Sequence, residues 1–271
     1  MTEQPITSVA NARLKALVAL RRRRVREETG TTLVEGLEEL TLALTAGVLP
    51  RTLFYCPELM PAPEGLAVLL RHPGIQGCER IRLGRVAFEK VAYREGPDGV
   101  LAVVDSVTRS CAELSVGASP LVLLCEAVEK PGNLGAMLRT ADAAGAAAVV
   151  AADPVGDWGN PNLVRASKGT VFSVPVASDS TPAALRWLHQ QGIALIASTP
   201  DTDLDYTEVD YSGPVAVAVG AEKDGLTRAV LDAAAHRVRI PMVGRANSLN
   251  VATSAAIILY EAVRQRGLRS F

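Results

Sequence analysis

From Pro120 onward the chain is built of short, unbroken apolar runs: LVLLCEAV, AAVVAAD, IALIAST, PVAVAVG and VRIPM. A run of this kind marks a strand buried on both faces, which requires a sheet covered by helices on each side. The intervening stretches supply that cover. GNLGAMLRTADAAG, LTRAVLDAAA and VATSAAIILYEAVRQRG have helical patterning, and TPAALRWLHQQG adds a threonine cap, Pro182 at the first helical position and a stop at Gly192. Strands alternating with helices predict an α/β domain with a mostly parallel sheet. Ligands of such sheets bind outside the carboxyl ends of the strands. Those ends read EAVEKPGNLG, STPD, GAEKDG and MVGRANSLN, so glycines and polar side chains gather where a site is expected.

The first hundred residues form a second, smaller α/β series. SVANARLKALVALRRRRVREE reads as one amphipathic helix that turns strongly basic, followed by the strand TTLVEG and the helix LEELTLALTAG. RTLFY, ERIRL and VLAVVD predict further strands, and GLAVLLR and RVAFEKVA further helices. The expected organisation is a domain over 1–105, a linker over 106–119 without strong periodicity, and a domain over 120–271. The 48% hydrophobic content suits a protein with a substantial core. Cysteines 56, 78, 111 and 125 form no CxxC pair, which argues for free thiols in a reducing cytoplasm and against a metal site. The N-terminal MTEQPITSVANARLK lacks a signal-peptide core, and no run is long enough to span a membrane. A soluble cytoplasmic protein with no membrane or metal partner is expected.

The formal net charge of −1 offers no global attraction for a polyanion, so any such partner must meet a local patch. One candidate is clear. Between Arg13 and Arg26 stand seven basic residues and no acidic one: Arg13, Lys15, Arg21, Arg22, Arg23, Arg24 and Arg26. Charge runs usually lie on solvated faces, but this concentration in a nearly neutral chain suits a phosphate-binding footprint. Few aromatics accompany it, which favours contacts to shape and backbone over base stacking. Arg165 and Lys168 in RASKGTVFSVP add to it, although surface charge alone accounts for that segment.

Three segments carry candidate chemistry. EKPGNLGAMLRTADAAGA (129–146) joins strand to helix through two glycines but is neither a dinucleotide fingerprint nor a P-loop. Asn133 falls at the helix start, as a cap or a site residue. Arg139 lies on an otherwise small and apolar helix, as a snorkelling surface residue or a guanidinium for phosphate. GAEKDGL (220–226) places Glu222 at the end of a buried strand. Ser248 and Asn250 flank Leu249 at the start of the last helix, and two polar side chains exceed what capping demands. The three histidines are isolated, and neither GxSxG nor HExxH occurs.

Together KPGNLGAMLRTADAAGA, VAVGAEKDGL and IPMVGRANSLNVATSAAIILYE, with RASKGTVFSVP between the first two, resemble the signature of the SpoU (TrmH-type) ribose 2′-O-methyltransferases of the SPOUT superfamily. The resemblance covers about residues 120–267. ITSVANARLKAL, the basic stretch and TTLVEGLEEL resemble the ribosomal-protein-like substrate-binding domain of rRNA-modifying members. It implies a SPOUT domain whose sheet is tied in a deep trefoil knot, S-adenosyl-L-methionine as cofactor, and homodimers formed through the knotted domain. Ser198, Thr199, Gly220, Ile240, Met242 and Leu249 would hold the cofactor. Asn133, Arg139, Glu222, Ser248 and Asn250 would form the catalytic set.

The family role proposed for the arginine matching Arg139 is general base. A guanidinium stays protonated, so a clamp on the adjacent phosphate is the chemically preferred role. Many relatives carry an acid before the motif proline, where this chain has Lys130. The implied substrate is a ribose of 23S rRNA, and the pattern is shared by antibiotic self-resistance methylases. A tRNA ribose methylase and a catalytically silent RNA-binding or ribosome-assembly protein are the alternatives. Retention of the five polar site residues disfavours the silent protein.

Overall fold

The computed structural model describes residues 4–267. Two compact units emerge: residues up to Val107 with Trp158–Ser173, and Thr108–Asp157 with the chain from Val174 onward. In chain order the first stretch holds α1 (Ala12–Ala19), α2 (Arg23–Thr29), β1 (Thr31–Glu35), α3 (Leu37–Thr45), β2 (Pro50–Tyr55), α4 (Pro63–Arg71), α5 (Pro73–Gln76), β3 (Glu79–Arg82), α6 (Arg85–Val91) and β4 (Val100–Asp105). The remainder holds β5 (Leu121–Glu126), α7 (Pro131–Ala143), β6 (Ala148–Ala152), α8 (Pro161–Ala166), β7 (Val176–Asp179), α9 (Thr181–Gln190), β8 (Ala194–Ser198), β9 (Val215–Val219), α10 (Arg228–Ala233), β10 (His236–Val238) and α11 (Val251–Gln265).

In the first unit the strands form one sheet in the order β1-β4-β2-β3, antiparallel except for the β2–β3 pair. Leu14 and Leu17 of α1 and Phe88 and Val91 of α6 bury against Leu33, Phe54 and Leu101 of the sheet. The single basic helix expected over the N-terminal stretch is two helices. Arg22 is extended at φ −88, ψ 129, and starts α2. Arg26 explains the break: its Nη1 donates to the carbonyls of Leu20 at 2.8 Å and Arg21 at 2.9 Å, satisfying groups that the end of α1 leaves open.

Residues 158–173, assigned by sequence to the C-terminal domain, pack in this first unit. Thr32 Oγ1 donates to the Gly159 carbonyl at 2.7 Å. Gly169, at φ +83, approaches Glu39 so closely that a Cβ would stand 3.1 Å from its Cα. Only glycine combines that backbone with that approach.

The second unit is a six-stranded sheet, parallel throughout, in the order β10-β8-β9-β5-β6-β7. Every residue of β5, β6 and β9 is buried, as their unbroken apolar runs predict. One face packs Ala184, Trp187 and Leu188 of α9 and Val230 of α10. α7 and α11 contribute buried Met137, Leu138, Ala255, Ile258 and Leu259, with Met137 Sδ 3.8 Å from Cys125 Sγ. Each buried leucine, isoleucine, valine or methionine among them contributes roughly 1.5–3 kcal/mol.

The stretch expected as a linker is not slack from Thr108 on. A 3-10 turn over Cys111–Glu113, closed by a Ser110–Glu113 capping box, buries Cys111 and Leu114 in this core. Such a short turn carries no periodicity to read.

From β5 the chain steps outward through β6 and β7, then crosses back to lay β8 on the far side, and β9 fills the gap between β8 and β5. The direction of winding therefore reverses beside β5, where an open parallel sheet leaves a crevice at its carboxyl edge.

Candidate active site

Three loops leave that edge: 199–205 after β8, 220–227 after β9, and 239–250 between β10 and α11. They enclose a cavity of about 600 Å³ lined by Ser198, Thr199, Gly220, Glu222, Ile240, Met242, Ser248, Leu249 and Asn250 among others. All six cofactor candidates lie on its wall, and three of the five catalytic candidates join them.

The β9 loop owes its shape to Gly220. A Cβ there would stand 2.2 Å from the carbonyl carbon and oxygen of Gly225 and 2.4 Å from the Leu226 nitrogen. Ala221 and Gly225 exchange backbone hydrogen bonds of 3.1 and 3.0 Å, which closes the loop on itself. Glu222 is carried on the resulting turn.

Glu222 is the hub of the site. One carboxylate oxygen accepts from the Lys130 ammonium. The other accepts from Asn133 Nδ2 at 2.5 Å and Asn250 Nδ2 at 3.5 Å. Asn250 Nδ2 also donates to Asn133 Oδ1 at 3.2 Å, while Asn250 Oδ1 caps α11 by accepting from Ala252 N at 3.0 Å. A single asparagine thus both starts a helix and ties it to α7 and the β9 loop. Lys130, then Asn133, holds the Glu222 carboxyl below its usual range. A carboxylate so saturated with donors stays ionised and suits orientation of its amide neighbours better than acceptance of a proton.

The arginine singled out by sequence stands apart. Arg139 is exposed on α7, and no hydrogen bond or ion pair joins it to another described residue. Six residues beyond Asn133 means about 240° of helical rotation and about 9 Å of rise, so the two cannot share a face. Asn133, Glu222 and Asn250 are brought together, Ser248 lines the adjoining cavity, and Arg139 has no side-chain partner among the described residues. Lys130 joins the cluster without having been chosen from sequence, where its signal was only its place before the motif proline. Asp201 and Asp224 on the cavity wall carried no signal, since lone acids in polar loops are ordinary.

All of the basic candidates lie in the first unit, Arg165 and Lys168 included. They are not equivalent. Arg26 is 5% exposed and spent on backbone carbonyls, so it is structural rather than part of an RNA footprint. Arg21 is also committed: Nη2 reaches the Ala92 carbonyl at 2.7 Å, and the guanidinium lies 5.6 Å from the Tyr93 ring centroid. Arg13, Arg23 and Arg24 form exposed pairs with Glu79, Glu27 and Glu28. Lys15, Arg22, Arg165 and Lys168 are exposed with no side-chain partner among the described residues. No helix among the described residues is long and apolar enough to cross a membrane.

Both parts of the chain resemble known families. Residues 120–260 match the SpoU rRNA Methylase family, and residues 11–102 match the MRM3-like substrate binding domain. A 23S rRNA (guanosine(2553)-2′-O)-methyltransferase, RlmP of Bacillus subtilis, is 31% identical over 94% of this chain and 97% of its own. A 23S rRNA (uridine(2479)-2′-O)-methyltransferase of Streptomyces viridochromogenes is 33% identical over 94% of this chain and 91% of its own. The AdoMet-bound rRNA methyltransferase of Sinorhizobium meliloti superposes with a TM-score of 0.87 at 30% identity, over 98% of this chain and 99% of that one.

Proposed function

The chain belongs to the SpoU rRNA methylase family, and on that premise we propose that it methylates a ribose 2′-oxygen of 23S rRNA with S-adenosylmethionine as donor. The observation that carries this reading is the Asn133–Glu222–Asn250 cluster at the edge of the 600 Å³ cavity. That volume falls in the range that houses cofactor-sized ligands. Its lining suits the donor: Ile240, Met242 and Leu249 are apolar, Ser198 and Thr199 can hydrogen-bond, and Asp201, Glu222 and Asp224 favour a cationic sulfonium and ammonium.

The bound sulfonium supplies an already activated methyl group. The protein's task is therefore to align the ribose oxygen, whose proton would pass to solvent as the methyl is taken, and alignment alone can supply a large share of the acceleration. Asn133 and Asn250, fixed by Glu222, present amides to the ribose, and Ser248 flanks it. Arg139, on a different face of α7 and without a side-chain partner among the described residues, is available to hold an RNA phosphate rather than to touch the reacting oxygen.

Lys15, Arg22, Arg165 and Lys168 meet the rRNA backbone. Arg13, Arg23 and Arg24 join them by exchanging weak exposed ion pairs for phosphate. The match of residues 11–102 to a substrate-binding domain favours rRNA over tRNA. The protein acts in the cytoplasm as a homodimer joined through its second, knotted unit. Exposed Val243 and Tyr260 of that unit support an apolar partner surface.

Calorimetry with S-adenosylmethionine and with NAD tests the cofactor; only the first is expected to bind. Mapping ribose methylation in total RNA with and without the protein tests the substrate. Loss of one 2′-O-methyl group from 23S rRNA is expected, whereas loss from a tRNA would establish the alternative.

A further inference from the structure

We infer that Glu126 is a positioning residue of the site, acting through Glu222; this rests on the reading of Glu222 given above. Glu126 ends β5 and is 1% exposed. Its carboxylate accepts from Thr227 Oγ1 at 2.6 Å, Thr227 N at 2.7 Å and Thr181 Oγ1 at 3.0 Å. No basic side chain among the described residues pairs with it. A buried carboxylate without a cation is expensive, and an apolar residue would fill the same place at the end of a strand more cheaply. Core packing alone therefore does not account for it.

Its position suggests what it does. The next residue, Ala127, is held at φ +50, an unusual conformation for a side-chain-bearing residue, and turns the chain out of β5 toward Lys130 and Asn133. Thr227 is the residue at which the Glu222 loop ends and α10 begins. One carboxylate thus joins the roots of two loops whose tips meet in the Lys130–Glu222 and Asn133–Glu222 contacts. Thr181, which the sequence places as the cap of α9, serves it instead, as does Thr227 at the start of α10. Ser180 is the residue that caps α9, and the Thr227 side chain makes no cap bond. With Gly220 and Gly225 closing one end of the loop and Glu126 holding the other, Glu222 has little freedom to move.

The test is a double-mutant cycle of Glu126→Gln and Glu222→Ala on the full-length protein, reading kcat, KM for RNA and the S-adenosylmethionine Kd. Glu126→Gln is expected to lower kcat roughly ten- to a hundredfold, as a sub-ångström displacement of an aligned site can, with KM changed less than about twofold. In the Glu222→Ala background the same substitution should cost less than about twofold more, because the route through Glu222 is already gone. Should Glu126→Gln fold poorly, Thr227→Val removes one hydroxyl donor, keeps the backbone bond and enters the same cycle. Fully additive losses, or a lower unfolding temperature at unchanged kcat, overturn the inference. A Glu222→Ala variant as active as the wild type overturns the reading of Glu222 first, and is recognised from that single substitution.

Discussion

Replacing Gly220 by alanine adds one methyl group at the root of the β9 loop that lines the cavity. The added carbon would lie 2.2 Å from the Gly225 carbonyl group and 2.4 Å from the Leu226 nitrogen. This is more than 1 Å inside ordinary carbon contact. Both obstacles are backbone, so no rotamer change relieves the clash, and the β9 loop must open by a comparable distance. Overpacking of this kind costs roughly 1–3 kcal/mol of stability. The functional cost is larger. Glu222 lies two residues along and holds Asn133 at 2.5 Å, a contact that does not survive a displacement of that size.

We expect Gly220→Ala to unfold at a lower temperature, to bind S-adenosylmethionine more weakly, and to lose about a hundredfold in kcat. Thermal unfolding, calorimetry and single-turnover methyl transfer measure these in turn. Gly117→Ala is the control, since a Cβ there meets nothing within 4 Å. A Gly220→Ala protein with wild-type affinity and rate would refute the argument that this close approach shapes the site.

Other substitutions separate roles that share one side chain. Asn250→Ser keeps a cap acceptor for α11 but cannot span to Asn133 and Glu222, so kcat should fall at nearly unchanged unfolding temperature; a parallel loss of both would make Asn250 only a cap. Because the Glu222 value is lowered, its contribution is complete above the ordinary glutamate value of 4.5 and is lost as pH falls through the lowered one. Lys130→Met removes the largest cause, and the acid limb of the kcat profile should move to higher pH; an unmoved limb would detach Lys130 from Glu222. Burial pushes the Cys111 and Cys125 thiols up to about 12 and also raises those of Cys56 and Cys78. Native thiol titration should therefore find slow reaction, with half-buried Cys78 first and Cys125 only on unfolding. Replacing Lys15 and Arg22 by alanine should reduce the salt dependence of RNA binding by about one to two in log–log slope; an unchanged slope would remove them from the footprint.

The sheet of the second unit was legible because burial on both faces leaves an unambiguous pattern, and β5 and β9 follow it residue by residue. The cavity wall was legible for the same reason: once the strands are placed, the loops at their carboxyl ends are known. The placement of 158–173 was not. It depends on Gly169 against Glu39 and on Thr32 against Gly159, contacts between segments more than a hundred residues apart. The N-terminal basic stretch misled in a different way. Counting charges cannot distinguish Arg22, which faces solvent, from Arg26, which caps the helix before it. Glu126 was invisible because it lies inside an apolar run and its partners look like ordinary helix caps.

The most direct test of the account is to incubate purified protein with unmodified 23S rRNA and methyl-labelled S-adenosylmethionine, then hydrolyse the product with alkali. A methyl group on the 2′-oxygen blocks cleavage of the adjacent phosphodiester, so the account predicts the label in a single alkali-resistant dinucleotide, lost in the Asn133→Ala protein. Label recovered in mononucleotides, as base methylation would give, or transfer undiminished without Asn133, would contradict it.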